Sequence, residues 1–437
     1  MSPFQLKAVA VCLIINMLDG FDVLAIAFAA PAIASDWSLP PVELGILFSA
    51  GLAGMMTGSI FVAPLADRHG RRTLILICLI IISIGMLATA ATQNLTQIIF
   101  TRLVTGIGVG SMLPSLNTMV AEYSSDRRRR LAVSFLQVGY PVGAIVAGVV
   151  SVYLINRFGW RSVFVFGGFL SILMLPLVYF RLPESLDFLL NRQPRNALRR
   201  VNTLLRQLRQ PEVSGLPQLT DENANISGFS VLISSTYRAR TLFICVAFLI
   251  TLSAWYFVIN WTPKILVDAG LSLNAGISGG LLISVGGVAG GLSLGFLSTR
   301  FRLRRLVATF MLSGAVVMTL FGQLDTQLST MLVTAFALGF CLAGAMIGLY
   351  AIVADAYPAA VRSTGTGWAI GVGRLGAVSG PYVAGLLIAA GWDRALYFFA
   401  LAIPLVVAMI LVLRLPGRRS GPAVQTQGRR NFEKKVQ

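Results

Sequence analysis

The chain has 437 residues, of which 56% are hydrophobic and only 12% are charged. Soluble domains carry roughly 25% charged residues, so most surfaces of this protein face lipid or other apolar helices. Its formal net charge of +18 would point to nucleic acid in a soluble chain. Here the basic residues fall in short clusters between apolar runs, the pattern of membrane topology signals, so no nucleic-acid partner is expected. His69 is the only histidine, and Cys12, Cys78, Cys245 and Cys341 all lie inside apolar runs. That leaves almost nothing for a metal site or a Ser-His catalytic set, so neither a metal nor a cofactor is expected, and no enzyme.

The first apolar run, 8–34, is longer than the h-region of a cleavable signal peptide, about 7–15 residues, and long enough to span a bilayer. Further runs of spanning length follow at 44–65, 73–91, 96–123, 131–155, 161–181, 239–261, 275–298, 305–323, 327–354, 363–390 and 394–415. In lipid each segment must satisfy its own backbone, so all twelve are read as helices. The connections alternate in charge. Arg68, Arg71 and Arg72, then Arg127 to Arg130, then a long Arg-rich stretch, then Arg300, Arg302, Arg304 and Arg305 form one set. The other set is short and poor in Arg and Lys, which places the basic set and both termini in the cytoplasm. A bacterial inner-membrane location is expected.

The longest connection divides the spans six and six. The expected organisation is 1–185, a six-helix bundle; 186–238, a cytoplasmic linker; 239–416, a second bundle; and 417–437, a basic tail too polar to order. Within the linker, 196–208 is amphipathic, with Leu198, Val201, Leu205 and Leu208 on one face. It reads equally as a helix along anionic lipid or as a soluble linker helix. Residues 211–227 are polar and read as mobile. The halves resemble each other: Glu122–Arg129 lines up with Asp355–Arg362, and Arg68–Arg72 with Arg300–Arg305. The fold class is therefore an all-α membrane protein with two pseudo-symmetric six-helix bundles. A duplicated unit of this kind marks many secondary transporters, which hold their site between the halves near the midplane.

Glycines cluster in the fourth, fifth, eighth and eleventh spans, where small residues let helices approach and slide. Charges at membrane depth are rarer, because each costs about 2.5–3.5 kcal/mol at a helix centre. Asp19 and Asp22, at i and i+3, share one face of the first span. Arg102 lies in the fourth span, counting nearer the outer side, and Arg374 lies near the middle of the eleventh. The plainer reading is that these groups only lock helices together; the stronger one is a polar cavity on a substrate path. An aspartate can carry a proton, whereas arginine stays charged and offers a fork that suits a carboxylate. Asp19 and Asp22 are thus the candidate proton sites and Arg374 the candidate anion clamp. Tyr140, Trp255, Tyr256, Tyr350 and Trp368, with Gln137 and Asn260, are candidates to surround an apolar or flat ligand bearing one acidic group.

The loop Ala63 to Arg72, A-P-L-A-D-R-H-G-R-R, resembles the signature of the major facilitator superfamily, as do Arg102 with Gly106, Gly108 and Gly110, Pro183-Glu184-Ser185, and Pro358 to Arg362 with Gly365. The resemblance spans nearly the whole chain. Asp19-Gly20-Phe21-Asp22 resembles the D-G-x-D motif of the aromatic acid:proton symporters. That resemblance implies proton-coupling roles for Asp19, Asp22 and Arg102, and a transport role for Arg374. It also implies a cytoplasmic gating network of Asp67, Arg68 and Arg71 with Glu122 and Arg129, and in the second half Asp355 and Arg362. Thr299 stands where the repeat would place an acid, so the network is expected to be asymmetric. The resulting expectation is a monomeric symporter importing a small aromatic carboxylate with protons. Another organic acid as substrate, or export of acids or drugs, remains the alternative reading, and a non-transporting receptor is disfavoured because no appended sensor domain is visible.

Overall fold

The computed structural model describes residues 3–124, 129–194, 196–208, 210–216, 234, 237–324, 327–357 and 359–415. Among these, twelve helices are long and apolar enough to cross a membrane. The first half contains α1 (Pro3–Trp37), α2 (Pro41–Thr57), the short α3 (Ala66–His69), α4 (Arg71–Ala90), α5 (Leu95–Glu122), α6 (Arg129–Phe158) and α7 (Arg161–Arg181). Between α2 and α3 the chain stays helical through a π turn, Gly58–Val62, and a 3-10 turn, Ala63–Leu65, so this span is bent where it reaches the signature loop. Two surface helices, α8 (Leu186–Arg192) and α9 (Ala197–Leu208), follow. The second half contains α10 (Arg238–Asp268), α11 (Leu273–Leu297), α12 (Leu303–Gln323), α13 (Leu328–Ala356), α14 (Ala359–Ala389) and α15 (Arg394–Leu413).

Polar residues set the starts. Asn94, Ser185, Ser272 and Asp393 each accept a backbone N–H three residues on, capping α5, α8, α11 and α15. The halves repeat one packing order: α1 on α6, α2 on α5 and α4 on α7, then α10 on α14, α11 on α13 and α12 on α15. Small residues allow the closest of these approaches. A methyl added at Gly143 of α6 would stand 1.7 Å from the Met17 carbonyl oxygen of α1. At the pseudo-equivalent place, one added at Gly376 of α14 would stand 1.9 Å from the Leu249 carbonyl oxygen of α10. The repeat reaches the helix ends too: Phe4 packs edge-on against Tyr123, and Tyr237 lies against Tyr357.

The halves meet at the end away from the termini. Ser49 of α2 donates to the Val378 carbonyl of α14 at 2.7 Å, Asn156 of α6 donates to Asn274 of α11 at 2.8 Å, and Phe48 stands edge-on to Trp261 at 5.4 Å. A methyl at Gly45 would come within 3.0 Å of the Pro381 carbonyl oxygen. Toward the terminus side the same face of α14 opens: methyls at Gly367 and Gly371 would meet nothing within 4 Å, and Trp368 is exposed. Large apolar side chains such as Ile84, Phe169, Leu173 and Val316 are exposed on the bundle surface, where lipid covers them.

The amphipathic stretch is a helix, as its periodicity required, and its apolar side lies on protein. Val201 and Leu204 are buried with Leu189 of α8, and Phe4 of α1 packs against them. Leu204 joins the covered face, and Leu208, half-buried, packs against the main core. Asn202 then holds Val213 through both backbone groups, at 2.9 and 3.0 Å. The remainder of the polar stretch after 216 and the tail lie outside the described residues.

Candidate transport site

Asp19 and Asp22 sit at the middle of α1, where Gly20 lets α6 pass close enough that a methyl would stand 2.0 Å from the Tyr140 carbonyl oxygen. Both aspartates are buried, and none of their four carboxylate oxygens has a hydrogen-bond partner among the described residues. An ionised carboxylate held this way is costly, so binding a proton or meeting a donor relieves it. The Asp22 carboxylate lies near Gly167 of α7, and Asp19 lies within electrostatic range of Cys78 of α4 and Tyr140 of α6.

Counting along α5 put Arg102 toward the outer side, with its reach to the aspartates open. The structure brings its guanidinium to α1: it donates to the backbone carbonyl of Asp22 at 2.8 Å and to the Met86 sulfur at 3.2 Å, and stands over the Phe164 ring. The long side chain spans the difference in depth, and the bond goes to the peptide rather than to the carboxylate.

Across the interface, Arg374 of α14 is half-buried and lies within electrostatic range of the hydroxyls of Tyr140, Tyr256 and Tyr350. Tyr140 of α6 and Tyr256 of α10 bring their hydroxyls within interaction range of each other, where the halves begin to part. Tyr140 therefore stands between the aspartate side and the arginine side. Tyr350 packs edge-on against Phe248 at 5.2 Å and is partly open. Arginine and three phenolic hydroxyls form a donor-rich cluster at the base of the opening, with Trp368 about one and a half turns nearer the terminus side.

Other sequence candidates stand apart. Trp255 is buried inside the second half, its ring 3.4 Å from a methyl added at Gly287 of α11. Asn260 is buried and spends its amide donor on the Tyr256 carbonyl of its own helix at 2.8 Å. Gln137 is exposed on the open side and donates to Asn117 at 3.1 Å.

On the terminus side Arg71 pairs with Glu122, and both meet Ser185: Arg71 donates to its Oγ at 2.9 Å, and that hydroxyl donates to Glu122 at 2.8 Å. Asp67 is more distant, 3.9 Å from Arg71, with an exposed carboxylate, and Arg68 is exposed. Reasoning from the signature loop missed Glu184 and Ser185 as members of this network. Glu184 is buried and accepts from the backbone N–H of Arg72 at 3.0 Å and of Ser185 at 2.9 Å. Gly70, at φ +96°, leaves room for it: a methyl there would lie 2.5 Å from the carboxylate. The signal was the buried acid of Pro183-Glu184-Ser185 beside a cluster of arginines. The side chains of Arg129, Asp355 and Arg362 lie outside the described residues.

Two half-bundles that meet at one end and carry charged and aromatic side chains where they part have the architecture of a secondary membrane transporter. Residues 12–319 and 284–436 match the Major Facilitator Superfamily. The chain is 32% identical over 419 residues to the 4-hydroxybenzoate transporter PcaK of Pseudomonas aeruginosa, covering 94% of this chain and 93% of that one. It is also 32% identical to a gallate transporter of Pseudomonas putida, over 94% and 92% of the two chains. A crystal structure of a bacterial homolog to the human lysosomal transporter Spinster, in an inward-facing and occupied conformation, shares the fold with a TM-score of 0.70 at 16% identity, over 94% of this chain and 95% of that one. The chain belongs to the Major Facilitator Superfamily, and it is a transporter rather than an enzyme.

Proposed function

We propose that this protein is a proton-coupled symporter that imports a small aromatic carboxylate across a bacterial inner membrane. The observation that carries this reading is the cluster of Arg374 with Tyr140, Tyr256 and Tyr350 at the base of the opening, beside two buried carboxylates. Arg374 clamps the substrate carboxylate, and the tyrosines supply donors and flat walls for a ring bearing hydroxyl groups. Asp19 and Asp22 carry the proton, and Tyr140 lies in the field of both Asp19 and Arg374, so a charge change on one side is felt on the other. Release of the proton and of the substrate then belong to one conformational step. Relatives named for 4-hydroxybenzoate and gallate support the substrate class.

The opening lies on the side of the termini, and the basic loops assign that side to the cytoplasm. The Arg71–Glu122–Ser185 network closes on its own half in this state and exchanges partners when the opening closes. The protein works as a monomer, since one chain contains both halves of the cleft.

A thermal-shift panel on the purified protein tests the substrate class, because a bound ligand raises apparent stability by mass action. Benzoate, 4-hydroxybenzoate and gallate are expected to raise the melting temperature, and 4-hydroxybenzamide, which lacks the anion, is not. No shift with any aromatic acid, or an equal shift with the amide, overturns the assignment. Reporter fusions at Gln210 and after Arg419 are expected to read cytoplasm, and a periplasmic report at either contradicts the topology.

A further inference from the structure

Toward the termini from the Arg374 cluster, the opening carries one more pair of polar side chains. Tyr140 of α6 lies within interaction range of Tyr256 and Arg374, so its side of α6 faces the other half. Gln137 lies three residues earlier on that side of the helix, about 4.5 Å nearer the termini. Phe135 and Tyr153, exposed to lipid, lie on the opposite side of α6, so the exposure of Gln137 is to the opening. The Gln137 amide donates to the Asn117 side-chain oxygen of α5 at 3.1 Å, and Asn117 donates in turn to the Leu113 carbonyl of its own helix at 3.0 Å. These two bonds fix the direction of the Gln137 amide. Among the described residues its carbonyl oxygen and second N–H make no other bond, so both remain for a ligand.

On the facing wall, Gly371 and Gly367 lie three and seven residues before Arg374 and share its face of α14. Among the described residues, a methyl added at either would meet nothing within 4 Å. The other side of the helix is filled: a methyl at Gly373 would stand 3.2 Å from Phe248, and one at Gly376 would stand 1.9 Å from the Leu249 carbonyl oxygen, both of α10. The open face of α14 is therefore the face that carries Arg374. A carboxylate held by that guanidinium has room beside it, toward the termini, for a flat ring. The far edge of the ring then comes to the depth of Gln137, one turn below Tyr140.

We propose that the Gln137–Asn117 amide pair reads a hydroxyl on the substrate ring, at the end opposite the carboxylate. This inference rests on the reading of Arg374 as the carboxylate clamp. A phenolic hydroxyl both donates and accepts, so it meets the Gln137 carbonyl oxygen or the remaining N–H. A ring without that hydroxyl displaces water from the amide and returns no bond, and a polar group left unmatched in this way separates ligands that differ by one hydroxyl. Gln137 touches the ring. Asn117 is a positioning residue, which holds the Gln137 amide in place.

Calorimetric titration of the purified full chain with benzoate and with 4-hydroxybenzoate, at one pH, tests this. The parent protein is expected to bind 4-hydroxybenzoate about fivefold more tightly, the gain of one net hydrogen bond. Gln137→Leu, at an exposed position, is expected to bring the two dissociation constants within about twofold of each other, and Asn117→Ala to at least about halve their ratio. A merely structural role would weaken both acids together and leave the ratio alone, as Arg374→Lys is expected to do. Equal affinities in the parent protein, or a parent ratio retained by Gln137→Leu, overturns the hydroxyl reader and leaves the clamp standing. Binding of neither acid to the parent protein overturns the reading of the site itself, and this inference with it.

Discussion

Replacing Arg374 by lysine keeps the charge and removes the planar fork. A guanidinium can give two parallel charge-assisted bonds to one carboxylate, and lysine at the same place gives one from a shorter head. A bond to a charged group contributes about 1.5–3 kcal/mol net. The Tyr140, Tyr256 and Tyr350 hydroxyls near Arg374 remain as donors, so the loss is held to the lower part of that range. About 1.5–2 kcal/mol corresponds to roughly a 10–30-fold weaker dissociation constant. The assay is calorimetric titration of 4-hydroxybenzoate into purified protein at fixed pH, with size-exclusion elution as the check on folding. A dissociation constant within about twofold of the parent protein would refute the clamp, since a bidentate contact cannot be halved without a larger change.

Two further predictions test the frame around the site. Gly45→Val places a branched side chain where even a methyl lies 3.0 Å from the Pro381 carbonyl oxygen, so the halves are expected to separate at the end away from the termini. Maleimide labelling of a cysteine introduced at the buried interface residue Ser49 in a cysteine-free background should then rise several-fold, and unchanged labelling would show that the contact does not hold that end closed. Glu184→Ala leaves the Arg72 and Ser185 N–H groups without their acceptor, at a cost of about 2–3 kcal/mol. The melting temperature should fall by several degrees, and a melt unchanged within about one degree would show that the carboxylate is not structural.

Much of the architecture was legible because lipid simplifies the physics. A segment in hydrocarbon must bond its own backbone, so length and hydropathy alone mark α1, α2, α4 to α7 and α10 to α15 as spans. The repeat was legible because Glu122 and Asp355 sit at matched helix ends. The site was legible in part: intramembrane charges are rare enough to single out Asp19, Asp22, Arg102 and Arg374. Their partners were not, because they depend on rotation about each helix and on reach. Arg102 bonds the Asp22 peptide, a contact that no spacing encodes. Trp255 and Asn260 lie on α10 within a turn and a half of Tyr256, yet they turn into the second half and toward their own helix, whereas Tyr256 turns to the interface. Glu184 stood out only as part of a family-like segment; its place in the network was not legible because it acts through backbone N–H groups brought near only by the fold.

The central claim, that the buried carboxylates couple a proton to substrate movement, is tested most directly by uptake of labelled 4-hydroxybenzoate into proteoliposomes under an imposed inward proton gradient. The parent protein is expected to accumulate substrate above its external concentration. Asp22→Asn, nearly isosteric but unable to carry a proton, should lose that accumulation, with Asp19→Asn weakened beside it, while both keep some exchange of labelled for unlabelled substrate. Gradient-driven accumulation at the parent level in both variants would contradict the account.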